Sequence, residues 1–347
     1  MVTLGGDCHK RTHTLVAVDE NGRELARKTV AAVSAGHLEA RRWASQWPER
    51  RWALENCRHV SRGLETDLLM AGEVVVQVSP KLMAGARRTG REWGKSDPID
   101  ALAVARAALQ NGDLPVAHLE SDSREVKLLL DHREDQVAER TRVQNRLRWH
   151  LHELDPAFEV PERSLDRKVV LNQVAKVLTG HHSVAAVIAL ELLERVRQLT
   201  ARINELERQI GALVSRLAPS LLELDGCAAL GAAKLIGETA GISRFKTPAR
   251  FAMHNGSAPI PVWSGTHERH RLNRGGNRQL NAALHRIAVT QIRLAGRGHD
   301  YFQHRRAAGD TKKEAIRALR RRISDEVFRR MWEDHRCATT TRIEVAA

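Results

Sequence analysis

The sequence predicts an α/β domain, then a helical middle region, then a mostly α-helical C-terminal region. Short apolar runs separated by turn residues fill the first 115 residues, which is the pattern of strands alternating with helices. Apolar residues recur every seven positions between residues 122 and 217, which indicates long helices. The predicted domains are therefore 1–115, 116–218 and 219–332, followed by a tail at 333–347.

The N-terminal region opens with three predicted strands. Asn21-Gly22 tolerates positive φ and predicts a hairpin turn between the second and third strands. Ser34 is expected to cap the next helix. The predicted elements are strands Val2–Gly6, His13–Asp19 and Arg23–Val33, helix Ser34–Trp47, strand Trp52–Glu55, helix Val60–Met70, strand Glu73–Val78 and helix Ser96–Leu109. This order matches a ribonuclease-H-like mixed sheet with helices on both faces.

The middle region carries a heptad seam. Its apolar residues step alternately by four and three, namely Leu199, Ile203, Leu206, Ile210, Leu213 and Leu217. Pro156 and Pro161 separate this segment from an earlier seven-residue repeat that begins at Leu130. Two long helices follow from this pattern. They form an antiparallel pair within the chain, a coiled coil between chains, or the core of a plain helical bundle.

The C-terminal region reads as helices joined by loops. Residues Leu221–Ala240 resemble a helix-hairpin-helix around Gly226, a motif whose amides contact phosphates. Residues Asn255–Gly276 are rich in glycine and proline and are expected to form a loop. Asn277 is expected to cap a helix that runs to about Leu294, and a final basic helix is expected from Thr311 to about Arg330.

Composition and charge exclude several classes of protein. The sequence has no run of 18 apolar residues, so it predicts no membrane span, and it has no CxxC pair, so it predicts neither a zinc ribbon nor a disulfide framework. The expected location is the cytoplasm. The net charge is +14, and residues 264–330 hold 17 basic against 6 acidic residues. A local excess that consists mainly of arginine is typical of nucleic-acid binding.

Four carboxylates are candidate metal ligands. Asp7 follows the first predicted strand, Glu55 ends the fourth, and Asp97 and Asp100 stand three apart at a helix start. The first and fourth strands are neighbours in a ribonuclease-H-like sheet, so Asp7 and Glu55 are expected to meet there. Carboxylate oxygens suit Mg²⁺ or Mn²⁺. Taken alone, Asp97-Pro98 with Asp100 fits a helix-capping pattern better than a metal site.

Two sets of motifs resemble a known family. The segments GGDCHKRTHTLVAVDENG, WALENC and GKSDPIDALAVAR are similar to the DEDD-type transposases of the insertion-sequence-110 class. In that family a RuvC-like domain supplies Asp, Glu and an Asp-x-x-Asp pair, which match Asp7, Glu55, Asp97 and Asp100. The segment NGSAPIPVWSGTHERHRLNRGGNRQLNAAL resembles the second signature of the family, which places its nucleophilic serine at Ser264.

The resemblance implies a DNA recombinase of a bacterial mobile element, which would act at the nucleoid. Such an enzyme joins donor and target DNA through a phosphoserine at Ser264, with Mg²⁺ or Mn²⁺ on the four carboxylates. An element-encoded non-coding RNA guides it, and it assembles as homodimers and homotetramers whose sites combine different protomers. The heptad region is the expected dimer contact. The residues expected to contact nucleic acid are Arg269, Arg271, Arg274, Asn277 and Arg278.

Two other functions fit the same sequence. A metal-dependent nuclease of Holliday junctions would use the four carboxylates with water as the nucleophile, and Ser264 would then be incidental. A non-enzymatic nucleic-acid-binding protein would need neither the carboxylates nor the serine. A serine in a Ser-Gly turn also has an ordinary structural explanation, because this dipeptide is common in turns.

Overall fold

The computed structural model describes the chain except for residues 56–59, 90–93, 95, 113, 120–121, 266, 274 and 347. It also leaves aside the side chains of residues 89, 264, 267–269 and 341–346. The chain divides into two compact units, Met1–Leu119 and Glu120–Ala347. Within the described residues, no helix combines the length and the apolar character that crossing a membrane requires.

The first unit is a five-stranded mixed sheet with helices on both faces. Its elements are β1 (Val2–Cys8), β2 (Thr12–Val18), β3 (Glu24–Ala31), α1 (Ser34–Ala44), β4 (Arg50–Glu55), α2 (Arg62–Met70), β5 (Val75–Val78), α3 (Pro80–Thr89) and α4 (Asp97–Gln110). The strand order is β3-β2-β1-β4-β5, with β1 antiparallel to β2 and parallel to β4. This confirms the predicted ribonuclease-H-like sheet and the pairing of the first and fourth strands.

Alternation along the strands divides the core into two layers. Leu15 and Ala17 of β2 pack in the layer that includes α1 and α2, whereas Val16 and Val18 pack against α4. The Asn21-Gly22 turn forms as predicted, with Gly22 at φ 76°. Asp19 Oδ1 accepts hydrogen bonds from the backbone nitrogens of two turn residues, so the turn is held locally.

Several local predictions need correction. Asp7 lies within β1 instead of after it, because β1 continues its pairing with β2 through Cys8. Val33 is the N-cap residue of α1 and Ser34 its first residue, with no side-chain capping bond. Helix α3 was not predicted; it begins at Pro80, where the fixed φ of proline suits a first helical turn.

The second unit is mostly helical. Its elements are α5 (Asp122–Leu154), α6 (Lys168–Thr179), α7 (Val184–Leu217), α8 (Pro219–Leu222), α9 (Ala229–Thr239), a single 3₁₀ turn (Ile242–Arg244), α10 (Pro248–His254), β6 (Ile260–Ser264), β7 (His267–Arg271), α11 (Arg278–Arg293), α12 (Arg297–Ala307) and α13 (Lys312–Ala346). Residues of α5, α7, α9, α11 and α13 share one hydrophobic core.

Helices α5 and α7 form an antiparallel pair within the chain. Arg133 Nε donates to Glu207 at 3.0 Å, and Arg195 Nε donates to Glu139 at 3.0 Å, so later residues of α5 meet earlier residues of α7. The seam is buried at 2% exposure or less at Leu199, Ile203, Leu206 and Ile210. Since the chain itself covers this seam, a dimer contact has to use other surfaces.

The C-terminal region contains more regular structure than predicted. The segment expected to be a loop contains the antiparallel hairpin β6–β7. The first helix of the expected helix-hairpin-helix is only the four residues of α8. Helix α12 was not predicted, and α13 extends to Ala346, so the expected tail is a continuation of this helix.

Candidate active site

Gly5 determines how closely α4 approaches the centre of the sheet. A Cβ at this position would lie 2.6 Å from the Ala105 backbone nitrogen and 2.7 Å from the Ala105 Cβ. Non-bonded carbon atoms normally stay about 3.5–4.0 Å apart, so only glycine allows this approach. Asp7 lies two residues further along β1, on the same side of the strand. The close packing therefore brings Asp7 to the first turn of α4.

Asp7, His9 and Asp97 form a cluster at this end of the sheet. His9 Nε2 lies 3.1 Å from Asp7 Oδ2 and 3.4 Å from Asp97 Oδ1. One ligand atom from each of the three residues lies within 4.8 Å of the other two. The Asp7 side chain is 9% exposed, whereas those of His9 and Asp97 are 51% and 53% exposed. The cluster is therefore open to solvent on one side.

Asp100 adjoins the cluster from the same turn of α4. Its Oδ1 lies 3.1 Å from Nη1 of Arg87 on α3. Burial raises the pKa of Asp7, the neighbouring His9 lowers it, and the negative charges of Asp100 and Asp97 raise it again. Three acidic groups, of which Asp7 is buried, thus repel one another, and a bound cation relieves such repulsion.

Glu55 lies on the strand beside Asp7. The parallel register of β1 and β4 pairs Gly6 with Leu54, so Asp7 and Glu55 each directly follow the last registered pair. Adjacent strands lie about 4.8 Å apart, which makes the two residues neighbours at one sheet edge. Among the described residues, however, the group whose ligand atoms all lie within 4.8 Å of one another is Asp7, His9 and Asp97, and Glu55 is not part of it.

The helix-capping explanation of Asp97 does not describe this helix. Ser96 is the N-cap residue of α4, with extended backbone, and Asp97 is the first helical residue. The Asp97 carboxylate lies near the ring of His9. Both Asp97 and Asp100 stand in the first turn, where the positive end of the helix dipole favours anionic groups.

His9 and Arg87 were not predicted as site residues from the sequence. His9 follows Asp7 by two residues, and residues two apart on an extended chain project to the same side. The Asp-x-His spacing at the end of a strand was the available signal. Arg87 had no such signal, because its contact with Asp100 depends on the unpredicted helix α3.

Ser264 is the last residue of β6, beside the turn of the β6–β7 hairpin. The register pairs Ser264 with His267, and Gly265 between them has φ 61°. A positive φ favours glycine, which explains the Ser-Gly sequence at this turn. The side chain of Ser264 lies outside the described part of the structure.

The residues expected to contact nucleic acid follow Ser264 in the chain. Arg269 and Arg271 lie on β7, and Arg271 is exposed. Arg278 is the exposed first residue of α11. Arg274 and the side chain of Arg269 lie outside the described residues.

Asn277 has the capping role that the sequence predicts for it. Its Oδ1 accepts hydrogen bonds from the backbone nitrogens of Gln279 and Leu280, as a helix N-cap does. Its Nδ2 donates to Oε2 of the buried Glu238 at 2.6 Å. The amide is thus used within the chain, and the nucleic-acid contact of Asn277 stays a prediction.

About a third of the chain is similar to solved structures. A Thermus thermophilus RuvC structure in complex with a Holliday junction substrate is 15% identical and covers 34% of this chain and 99% of that chain, with a TM-score of 0.27. Another Thermus thermophilus RuvC structure is 16% identical and covers 34% and 100%, also with a TM-score of 0.27.

The whole chain is similar to proteins of insertion elements. The 44.8 kDa protein of IS116 from Streptomyces clavuligerus is 27% identical over 94% of both chains. The 42 kDa protein of IS900 from Mycobacterium paratuberculosis is 24% identical over 98% of both chains. The 43.6 kDa protein of IS110 from Streptomyces coelicolor is 27% identical over 66% of this chain and 69% of its own length.

Two family profiles match successive parts of the sequence. The profile of the DEDD transposases of IS110 matches residues 4–156, which contain all four candidate carboxylates. The profile of the transposase IS116/IS110/IS902 family matches residues 218–303, which contain Ser264. The two profiles occur in order and together span well over half of the chain. From these matches and the ribonuclease-H-like sheet, the chain belongs to the DEDD transposases of the IS110 class.

Proposed function

We propose that this transposase cuts and rejoins donor and target DNA through a serine-linked intermediate, assisted by a divalent metal ion. The observation that carries the proposal is the cluster of Asp7, His9 and Asp97, with Asp100 in the same helical turn. Mutually repelling carboxylates at the end of a mixed sheet are suited to cation binding and not to stabilising the fold by themselves.

The residues that would hold the metal are Asp7, Glu55, Asp97 and Asp100. Their donor atoms are carboxylate oxygens, which fit Mg²⁺ and Mn²⁺, and one side of the cluster is open to solvent. When bound, such an ion supplies positive charge that stabilises the oxygens of a phosphoryl transfer. Arg87 on α3 forms an ion pair with the Asp100 carboxylate.

Ser264 is the proposed nucleophile. Its oxygen would bond to the phosphorus of a DNA phosphodiester as the bond from phosphorus to the leaving sugar oxygen breaks. The serine proton passes to a base, and the leaving oxygen takes up a proton. Arg269 and Arg271 belong to the partner strand of the same hairpin, where their charge suits a phosphate.

The base for Ser264 stays unassigned among three nearby histidines, and His254 is the poorest candidate. Burial and the positive charge of Arg244 lower the pKa of His254 to about 4. Its ring packs 5.0 Å from that of Phe245. His270 lies on β7 and is exposed, and His267 lies nearest to Ser264 in the strand register.

Sequence choice by base pairing with a non-coding RNA is also part of the proposal. This part of the proposal is supported by the concentration of arginine from residue 264 onward. Arginine contacts with the phosphate backbone suit both RNA and DNA and do not depend on base sequence. We propose that homodimers pair into homotetramers during recombination. Withholding the RNA transcribed from the DNA that flanks the gene should abolish recombination, whereas an unrelated RNA should not restore it.

The serine mechanism is tested with Ser264→Ala. Labelled DNA from the flanks of the gene is incubated with full-length protein, flank RNA and Mg²⁺, and denaturing gels report protein–DNA adducts. Ser264→Ala should form no adduct and no recombinant. The matched control is Ser257→Ala in the same segment, whose hydroxyl has no partner among the described residues. An adduct that persists in Ser264→Ala refutes the nucleophile.

The metal site is tested with Asp7→Asn, which keeps the shape of the side chain and removes its charge. Asp19→Asn is the control, because an asparagine oxygen can keep the two backbone bonds of that hairpin turn. Only Asp7→Asn should lose Mg²⁺-dependent cleavage. Cleavage that survives Ser264→Ala but needs Asp7 would instead identify a junction nuclease that uses water. If the wild type binds nucleic acid without cleaving it and Asp7→Asn binds equally well, the protein is a binding protein and not an enzyme.

A further inference from the structure

The β6–β7 hairpin projects from the second unit with little apolar packing of its own. Its described side chains are half-buried or exposed, and Trp263 is 66% exposed. A two-stranded hairpin is only marginally stable by itself. The position of Ser264 at its tip must therefore be fixed largely by the segments that lead into β6 and out of β7.

Those two segments are bound together at the base of the hairpin. The Asn277 backbone nitrogen donates to the His254 carbonyl at 2.6 Å. Gly256 and Gly276 cross closely, both with positive φ, and a Cβ on Gly276 would lie 2.7 Å from the Gly256 nitrogen. Asn277, which follows the hairpin, is thus hydrogen-bonded to the last residue of α10, His254.

Asn255 anchors this base from inside the protein. It is fully buried, and its Nδ2 donates to Oγ of the equally buried Ser324 on α13 at 2.8 Å. Its Oδ1 accepts from the Ser257 backbone nitrogen at 3.0 Å, which turns the chain toward β6. The backbone carbonyl of Asn255 accepts a hydrogen bond from Nδ2 of Asn281 on α11 at 3.0 Å. One side chain therefore links α10, α13 and the start of the hairpin.

The other side of the base is anchored by the same face of α13. Arg320 and Ser324 are four residues apart and thus project from one side of the helix. Arg320 Nη1 donates to Oδ1 of Asn281 at 2.8 Å, and Asn281 lies in the first turn of α11 just after the hairpin. Burial lowers the pKa of Arg320, with the charge of Arg317 acting in the same direction.

We propose that Asn255, Asn281, Arg320 and Ser324 form a positioning unit, the hairpin anchor, that holds Ser264 in place for its reaction. The inference rests on the proposed role of Ser264. Buried hydrogen bonds are directional, so a connected set fixes orientation in a way that apolar contacts do not. A reacting atom displaced by about 1 Å can lose roughly 100-fold in rate, which makes such an anchor worth keeping.

The test compares two buried serines of the same unit. Ser324→Ala removes the acceptor of Asn255, whereas Ser164→Ala removes a hydroxyl that donates to the Pro161 carbonyl at 2.7 Å, outside the anchor. Both variants should lower the thermal midpoint by similar amounts. Only Ser324→Ala should slow adduct formation, by about 10- to 100-fold at saturating nucleic acid, with unchanged DNA affinity.

Further variants separate positioning from folding. Ser324→Thr keeps the hydroxyl and should restore most of the rate. Asn281→Asp keeps the acceptor for Arg320 and loses the donor to Asn255, so it should reproduce the defect even if Ser324→Ala does not fold. Equal adduct rates in the two serine variants, or a loss confined to DNA affinity, would overturn the proposal.

A readout without activity keeps the anchor distinct from the serine mechanism. Amide hydrogen exchange over residues 258–272 should be faster in Ser324→Ala than in Ser164→Ala, whether or not any adduct forms. Equal exchange refutes the anchor. If the wild type forms no adduct but the two variants still differ in exchange, only the role of Ser264 is refuted and the anchor stands.

Discussion

Replacing Gly5 by alanine would separate α4 from β1 at the point where the carboxylates meet. The added Cβ would lie 2.6 Å from the Ala105 nitrogen and 2.7 Å from the Ala105 Cβ. A normal contact needs about 3.5 Å, so α4 must move away by roughly 1 Å. Overpacking of this kind costs about 1–3 kcal/mol. The lower entropy of the unfolded alanine chain offsets about 0.4–1 kcal/mol of this.

The displacement should reduce activity more than stability. Asp7 lies on β1 and Asp97 on α4, so moving the helix moves one side of the cluster relative to the other. We expect cleavage to fall roughly 100-fold, as for other misplacements of about 1 Å. Urea unfolding followed by circular dichroism gives the free energy, and labelled DNA gives the cleavage rate.

Gly211→Ala is the matched control for this experiment. Gly211 lies inside α7, and a Cβ there would meet nothing within 4 Å. This variant should be more stable by about 0.5–1 kcal/mol and fully active. A Gly5→Ala protein that unfolds at the wild-type urea concentration and cleaves at the wild-type rate would refute the close-packing argument.

Three further predictions concern stability. Burial and the charges of His37 and His9 lower the pKa of His13 to about 4, so the stability that is present above pH 6.5 should be lost as the pH falls toward 4, by roughly 2 kcal/mol between pH 7 and pH 5. Urea unfolding of wild type and His13→Gln over this range checks this, and an equal dependence of the unfolding free energy on pH in the two proteins would contradict it. Leu206→Ala at the buried seam should cost about 2–5 kcal/mol by the same measurement, and a loss below 1 kcal/mol would mean that the seam is not packed as described. Asn277→Ala should lose about 1 kcal/mol of stability with its helix cap, and filter binding then separates its two roles: unchanged DNA affinity leaves only the cap, whereas weaker binding at full stability identifies Asn277 as a contact.

Local signals in the sequence predicted much of the first unit. Apolar runs, the Asn-Gly turn and the alanine-rich helix before residue 110 are properties of short segments, and each segment adopts the expected element. The element order then placed the strands that carry Asp7 and Glu55 side by side, because few sheet topologies accommodate it. Asn277 was correctly predicted as a cap, since capping needs only the next three residues.

The hairpin at Ser264 escaped prediction for a physical reason. Strand β7 reads His-Glu-Arg-His-Arg, with no apolar residue to show alternation between a buried and an exposed side. What holds the hairpin is a set of buried polar contacts at its base, contributed by residues up to 69 positions apart. No local pattern reports such contacts.

The sequence by itself determined most elements of the first unit, the family and the residue types available for chemistry. The heptad seam showed which side of α7 is buried but not that α5 of the same chain covers it, because periodicity describes a face and not its partner. Tertiary structure alone decided that His9 joins Asp7 and Asp97, that Arg87 forms an ion pair with Asp100, and that Asn255 donates to Ser324. Each of these contacts joins residues from different elements. Their distances depend on how closely the elements pack, which is set in the first unit by the missing side chain of Gly5.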